Sequence, residues 1–439
     1  MLSHWYLIFA TAAIPLFTGM IWYNPKTFGT VPMFFLSTDL PENDYLAKST
    51  TFKLYDSDPI AKIAQTMVLG LGGAKLLDAL DYDPDIYHLN EAHALSCVFH
   101  LYNKYNDVEA IKKKMVFTTH TPEEAGNEKH DINLLHSLSF FDGIPLEKVR
   151  EITGIYDNTF NHTLVGLRLS HYANGVSKLH GEVSRDMWKD FSGICPITHV
   201  TNAQNKKYWA DAWLDEALQN NDREALIKRK TRLKSKLFDV VADQTGKLFD
   251  PKILTIVWAR RFAEYKRPDL ITRDYNRFIK LLSNTDKPVQ IIFAGKPYPM
   301  DFGAIHNFDN LTHISKNIKN MAVLTGHELK LSRQLKEGAD IWLNNPRVTR
   351  EASGTSGMTA AMNGAINFST NDGWVREFKD LNKTQNSFVL PIVDHTLPAY
   401  QQDQMDLDNL YEMLENEILP LYYNKPKKWW DLVETSMKQ

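Results

Sequence analysis

The feature that most constrains the fold is a run of alternations between about residue 253 and residue 343. Four mainly apolar stretches (253–258, 289–294, 321–324 and 341–343) are separated by helical patterns that include 275–282 and 329–337. A strand with apolar residues pointing to both sides must be covered on both faces. A strand–helix–strand repeat of this period joins parallel neighbours through crossover helices. The second half is therefore read as α/β, a doubly wound, Rossmann-like parallel sheet. Open sheets of this class hold ligands beyond the carboxyl ends of their strands, so the loops that follow these stretches are where chemistry belongs.

The first half alternates too, less regularly. Strands are expected at 31–36, 86–89 and 114–118, the last running into Thr119-His120-Thr121-Pro122. A helix is expected over 61–80, around Gly70-Leu71-Gly72-Gly73. Because those glycines follow a helical pattern and not a strand, they indicate close helix packing and not a dinucleotide loop. A charged helical stretch, 211–237, leads to Gly246-Lys-Leu-Phe-Asp-Pro251, read as a junction. At 439 residues the chain exceeds one ordinary core, and two domains are expected, 1–245 and 246–405. The final helices, 406–439, are expected to pack back across the junction, and no internal repeat suggests a solenoid.

Charge and cysteine usage narrow the partners. Lys plus Arg is 50 and Asp plus Glu 53, a formal charge of −3, without the basic stripe that nucleic acid requires. Cys97 and Cys195 stand far apart, with no CxxC or metal-ligand spacing, which fits a reducing, cytoplasmic setting. His88 and His93 lack the i, i+4 spacing of a helical zinc pair, so no metal is expected. Residues 5–23 carry no charge and approach the length of a membrane span. Pro15, Gly19 and the lack of a basic start favour buried strand and helix material, or an N-terminus displaced from its context, over an anchor.

Two segments carry the chemistry. Glu351-Ala352-Ser353-Gly354-Thr355-Ser356-Gly357 follows a strand and is expected to open a helix at Met358. Its glycines admit close approach of backbone to a ligand, its hydroxyls add donors, and Glu351 is suited to accept from sugar hydroxyls. Arg260-Arg261-Phe-Ala-Glu-Tyr265-Lys266-Arg267 places four cations in eight residues at a strand end. Such a run is often a solvated surface; the strand-end position favours a phosphate held by a guanidinium fork and an ammonium. His93 and His120 also follow apolar strands, and alone either is more often a core hydrogen-bonding residue than a catalyst; Asn202 in Val200-Thr-Asn-Ala203 is a weaker candidate still.

Taken together, the motifs resemble the α-glucan phosphorylases, in particular their shorter prokaryotic branch. Asp39-Leu-Pro-Glu-Asn43, His88-Leu-Asn-Glu91, Thr118-Thr-His-Thr-Pro122, Asn174-Gly-Val-Ser-Lys-Leu-His180, 260–267 and 351–357 occur in the family's order. The resemblance implies a GT-B fold, two Rossmann-like domains with a cleft between them, the N-terminal one binding glucan and the C-terminal one phosphate and cofactor. It implies phosphorolysis of α-1,4-glucan or maltooligosaccharide to glucose 1-phosphate with retention, and a second copy of the chain as a partner to consider. By the same resemblance His120 meets the transferred glucose, while His93, Asn202, Tyr265, Glu351, Ala352, Ser353 and Gly354 line the sugar site. Arg261 and Lys266 hold the attacking phosphate. Arg260, Thr355, Ser356 and position 359 match the site of pyridoxal phosphate, whose phosphate group serves proton transfer in this family.

Two departures stand out. The family's Schiff-base lysine lies eight positions after the glutamate, where this chain has Thr359, so any cofactor here is non-covalent or absent. The Gly-rich phosphate loop that normally precedes the Asp39 block is also missing: residues 1–40 hold only Gly19 and Gly29, and the N-terminus reads as truncated or diverged. Two rival readings follow, a cofactor-free transferase that binds a nucleotide diphosphate sugar and a non-catalytic glucan-binding relative.

Overall fold

The computed structural model describes residues 33–54, 56 and 58–439; the uncharged stretch 5–23 lies outside them. The strands are β1 Tyr87–Asn90, β2 Met115–Thr118, β3 Lys129–Asp131, β4 Thr159–Asn161, β5 Tyr172–Gly175, β6 Ile197–His199, β7 Leu254–Ala259, β8 Val289–Ala294, β9 Met321–Leu324, β10 Ile341–Asn344, β11 Ile366–Ser369 and β12 Phe388–Val389. One unit comprises the described residues through Asn174 together with Met187–Thr198; the other comprises Gly175–Asp186 and His199–Gln439.

The first unit is built on a sheet of order β1-β2-β5-β6, with β1, β2 and β5 parallel, beside a small antiparallel β3–β4 pair. Its core gathers Leu89, Phe99, Phe117, Phe140 and Val165. Residues Pro59–Ala79 form helix with a π-helical turn at Val68–Gly72, apolar and long enough on those criteria alone to cross a membrane. Its Ile63, Leu71, Ala74 and Leu76 are buried in the protein. The expectation of close packing at the glycine group holds: a Cβ on Gly70 would lie 2.7 Å from the Ala94 carbonyl oxygen. The strand expected at 31–36 is not formed over 33–36, which is extended chain without a ladder.

The second unit carries a six-stranded sheet of order β12-β11-β10-β7-β8-β9, parallel throughout. Counted from β7, this is the doubly wound order 3-2-1-4-5-6, whose crossovers reverse direction between β7 and β10. Strands β7 to β11 are buried along their whole length, which is why β7 to β10 read as mainly apolar runs. The expected α/β class is therefore observed, a parallel sheet in each unit.

Six helices matter for the site: α1 Arg223–Thr245, α2 Leu329–Gly338, α3 Thr355–Ala361, α4 Val375–Phe378, α5 Ala399–Met413 and α6 Pro426–Lys438. The units do not part at 245/246. Helix α1 packs Leu226, Leu233, Leu237 and Val241 into the cores of the second unit, and Gly246 merely caps it at φ +70. A Cβ on Gly338 would sit 2.7 Å from Leu237, so glycine there allows α1 and α2 to touch. The C-terminal helices begin at Ala399, not 406, with Pro398 as the non-helical residue before the first turn. They contribute Leu410, Tyr411, Trp429 and Val433 to the same core as Ile256 and Trp258.

One buried ion pair pins α1 to the base of the sheet. Lys234 Nζ donates to Asp340 Oδ2 at 2.5 Å and to the Ile253 carbonyl at 2.9 Å, while the Thr255 N–H donates to the same carboxylate oxygen at 2.9 Å. Removing one partner strands a charge away from water, whereas removing both leaves apolar packing. Asp340→Ala should therefore lower stability by about 3–5 kcal/mol in chemical denaturation. The double variant Lys234→Met/Asp340→Leu should recover most of that loss.

Candidate phosphate and sugar site

The reversal of the second sheet brings two loops side by side. Arg260 directly follows β7, and Asn345 directly follows β10, one strand over. Trp258 Nε1 donates to Asn345 Oδ1 at 2.9 Å and ties the two strand ends. Between them sits Glu351. Arg260 Nη2 donates to its Oε2 at 2.7 Å, and Lys266 Nζ lies 3.7 Å from the same oxygen. All three side chains are largely buried. Arg261, exposed, adds its charge to the group and reaches Tyr265.

The electrostatics follow from burial and from the surplus of positive charge. Burial by itself raises the Glu351 carboxyl, but the charges of Arg260, Lys266 and Arg261 outweigh it and hold the group below the usual carboxylate range. Burial, aided by repulsion from Arg260 and Arg261, pushes the Lys266 ammonium down to about 7 despite Glu351. Burial also raises the Tyr265 phenol. A single carboxylate thus faces three cations. The buried Nε and Nη1 of Arg260, Ser353 Oγ and Asn344 Oδ1 have no hydrogen-bond partner among the described residues. Groups of that kind normally find a partner, and here the donors suit an oxyanion and hydroxyls.

The loop that presents Glu351 is held on several sides. The Glu351 N–H donates to Asp372 Oδ2 at 2.9 Å, and the Gly373 N–H to Oδ1 at 2.9 Å; burial pushes Asp372 up to about 7 against these bonds. Ser177 Oγ donates to the Ala352 carbonyl at 2.7 Å, and the Trp374 N–H to the Ser353 carbonyl at 2.9 Å. Thr349, β-branched, sits at φ +75, a strained conformation that persists only when its surroundings impose it. Gly354 has φ +89, a backbone conformation that residues with a side chain rarely adopt, so the loop favours glycine there. Helix α3 starts at Thr355, earlier than the expected Met358, and is only seven residues long. Attraction for an anion therefore rests on the cations and not on the helix end.

The second unit thus brings together Arg260, Arg261, Tyr265, Lys266, Glu351, Ala352, Ser353 and Gly354. Thr355 and Ser356 occupy the first turn of α3, half-buried. Asn202 belongs to the same unit, its N–H donating to the Val176 carbonyl at 3.1 Å. His93 and His120 belong to the first unit. There Glu91, at φ +59, accepts the His120 N–H and, at 3.1 Å, the Thr121 hydroxyl. Burial raises Glu91, and His93 stands within its electrostatic reach. Glu91, Ser177, Asp372 and Glu377 escaped the sequence reading as site residues. Glu91 lay inside a quoted motif and Ser177 in another; Asp372 and Glu377 carried no local signal.

Position 359 does not accommodate a Schiff base. Thr359 is buried, and its hydroxyl donates to the Ser356 carbonyl at 3.0 Å within α3. The Arg260 side of the site fits a phosphoryl group; the α3 side offers no amine. Among the described residues no group of three or more His, Cys, Asp or Glu could hold a metal ion.

An anion held by this cluster would bind in a pH-dependent way, because burial brings the Lys266 ammonium down to about 7. Below about 7 the ammonium is charged and attracts an anion; above it the charge is lost, so affinity should fall as pH rises through that value. Sulfate, which does not itself titrate there, should bind roughly five- to tenfold more weakly at about pH 8 than at about pH 6 by proton linkage. Lys266→Met should flatten the profile when measured by calorimetry.

The family model described as carbohydrate phosphorylase matches residues 207–419. An uncharacterized protein of Methanocaldococcus jannaschii is 43% identical over 404 residues, covering 92% of this chain and 75% of that protein. The maltodextrin phosphorylase of Thermococcus litoralis is 33% identical over 465 residues, with 93% and 55% covered. The glycogen phosphorylase of Aquifex aeolicus is 30% identical over 473 residues, with 93% and 68% covered. The chain thus spans little more than half the length of the Thermococcus enzyme. A phosphorylase match across the reversal-point loops, and a relative of that name aligned over most of both chains, agree with the cation cluster: this chain belongs to the carbohydrate phosphorylase family.

Proposed function

We propose that the chain is an α-glucan phosphorylase-like hexosyltransferase that acts on the non-reducing end of α-1,4-glucan with inorganic phosphate. The observation that carries this reading is the buried Arg260, which gives one nitrogen to Glu351 and leaves Nε and Nη1 without a hydrogen-bond partner among the described residues. Arg261 and Lys266 hold the attacking phosphate, Arg261 by its fork and Lys266 as a point charge. Glu351, Ser353 and Asn202 hold glucose hydroxyls, and the family resemblance carries the same kind of role over to His120 and His93. A phosphate oxygen forms the new bond to the anomeric carbon as the bond to the glycosidic oxygen breaks. That oxygen leaves with the proton given up by phosphate. The cations lower the barrier by stabilising phosphate beside an oxocarbenium-like carbon and by holding it in place.

When bound, pyridoxal phosphate supplies this family with a second phosphate for proton transfer. The residues here do not fit its covalent attachment, so no step is assigned to it. Thr359 also supports a second reading, a cofactor-free transferase whose nucleotide diphosphate occupies the same cations. Protection by a nucleoside diphosphate sugar, absent with glucose 1-phosphate, would favour it.

Two outcomes follow. The purified protein should yield no borohydride-trappable pyridoxal adduct; a stoichiometric adduct at any lysine would overturn the cofactor reading. Arg261→Ala should weaken binding of phosphate or glucose 1-phosphate by about 1.5–3 kcal/mol, typical of a charged hydrogen bond, and Arg261→Lys should not fully restore it. Release of glucose 1-phosphate from maltooligosaccharide and phosphate tests turnover directly, and binding that survives Arg261→Ala unchanged would remove this segment from the site.

A further inference from the structure

Glu377 stands outside the cation cluster, on the four-residue helix α4, and both of its carboxylate oxygens are used. Oε1 accepts the Lys178 N–H at 2.8 Å, and Oε2 accepts the Thr201 hydroxyl at 2.6 Å. These two donors come from separate segments of the second unit, and each leads to the candidate sugar site. Lys178 follows Ser177, whose hydroxyl donates to the Ala352 carbonyl and accepts the His180 N–H at 3.1 Å. Thr201 precedes Asn202, whose N–H donates to Val176. Glu377 is itself three residues beyond Trp374, which holds the Ser353 carbonyl.

The contacts close a ring. From Ser353 it passes through Trp374 to Glu377, then to Lys178, Ser177 and Ala352, and so back to Ser353. Thr201 hangs from the same carboxylate and carries Asn202. Among the described residues the Asn202 carboxamide makes no hydrogen bond, so it is free for a ligand while its backbone is fixed. We propose that Glu377 is a positioning residue that sets Asn202 against the Ala352–Ser353 loop, so that the two recognise one set of sugar hydroxyls. This rests on the reading of the site as a glucan site. A carboxylate is the group that does this: it presents two acceptors in one plane and no donor. Glutamine keeps the size but offers one acceptor and no charge: its oxygen can keep the Lys178 N–H, while its NH2 must turn the Thr201 hydroxyl from donor to acceptor, so both charge-assisted bonds are lost.

The test uses the full chain, with sulfate as probe for the cations and maltotriose as probe for the sugar site, both by calorimetry. Glu377→Gln should bind maltotriose about tenfold more weakly, the scale of one charged hydrogen bond, and sulfate within about twofold of the native protein. In an Asn202→Ala background, Glu377→Gln should add little further loss, because its effect runs through Asn202. Hydrogen exchange at the Asn202 amide should accelerate in Glu377→Gln and, independently, in Thr201→Val. Equal loss of sulfate and maltotriose, full additivity with Asn202→Ala, or unchanged exchange at Asn202 would each overturn the proposal. Failure of the native chain to bind maltotriose would instead sink the glucan reading on which it rests, and is separately visible.

Discussion

The architecture around the site depends on one buried guanidinium. Arg267 is fully enclosed, with Nε donating to the Asn345 carbonyl at 2.9 Å and Nη2 to the Pro346 carbonyl at 2.9 Å. Its Nη1 meets Asp403 at 3.0 Å and its Nη2 meets Asp406 at 2.7 Å. A charge removed from water costs several kcal/mol unless its hydrogen bonds are met, and here carbonyls and carboxylates meet them. The residue therefore locks three things together: the loop after β7, the loop after β10 and helix α5. Its own backbone, at φ +48, turns the chain so that the preceding Tyr265 and Lys266 face Glu351. Asp403 belongs to a wider network with Arg273 and Arg347; burial alone would raise it, yet these arginines bring it down to about 2.

With that frame fixed, the electrostatics of the site are nearly dictated. Arg260 cannot withdraw, because it leaves the end of a fully buried strand, and Lys266 cannot withdraw, because Arg267 anchors the next residue. The cations are thus held together against their mutual repulsion, and Glu351 offsets only part of it. Such a cluster is assembled before any ligand arrives, and on the proposed reading an entering anion supplies the missing negative charge. Glu351 shares the cations with any phosphate that enters, so the same carboxylate links the anion to the sugar hydroxyls expected beside it.

Much of this was legible beforehand, for identifiable reasons. Strands at 289–294 and 321–324 and the helix at 275–282 coincide with those observed; burial on both faces leaves the strands a mainly apolar signature, and the helix shows its own periodicity. The short strands of the first unit, such as β5 and β6, left no such signature, being three or four residues long and partly exposed. Helix α1 was placed with the wrong unit because a charged surface pattern does not say which core its apolar face will meet. Ser177, Asp372 and Glu377 were missed because their role is to hold backbone groups 21 to 199 residues away, and no local pattern encodes that.

By itself, the amino-acid sequence determined the α/β class, the order of the family's motifs, the two loops that carry Arg260 to Lys266 and Glu351 to Gly354, and a threonine at position 359, where the family resemblance leads one to expect a lysine. These are properties of residue type and spacing, and they survive without knowledge of what packs on what. Only the tertiary structure decided that β7 and β10 are neighbours, with Arg260 paired to Glu351 and Glu377 bound to both Lys178 and Thr201. Register and strand order depend on the summed packing of the whole core, and a hydrogen bond between distant segments exists only once that packing has brought them within about 3 Å.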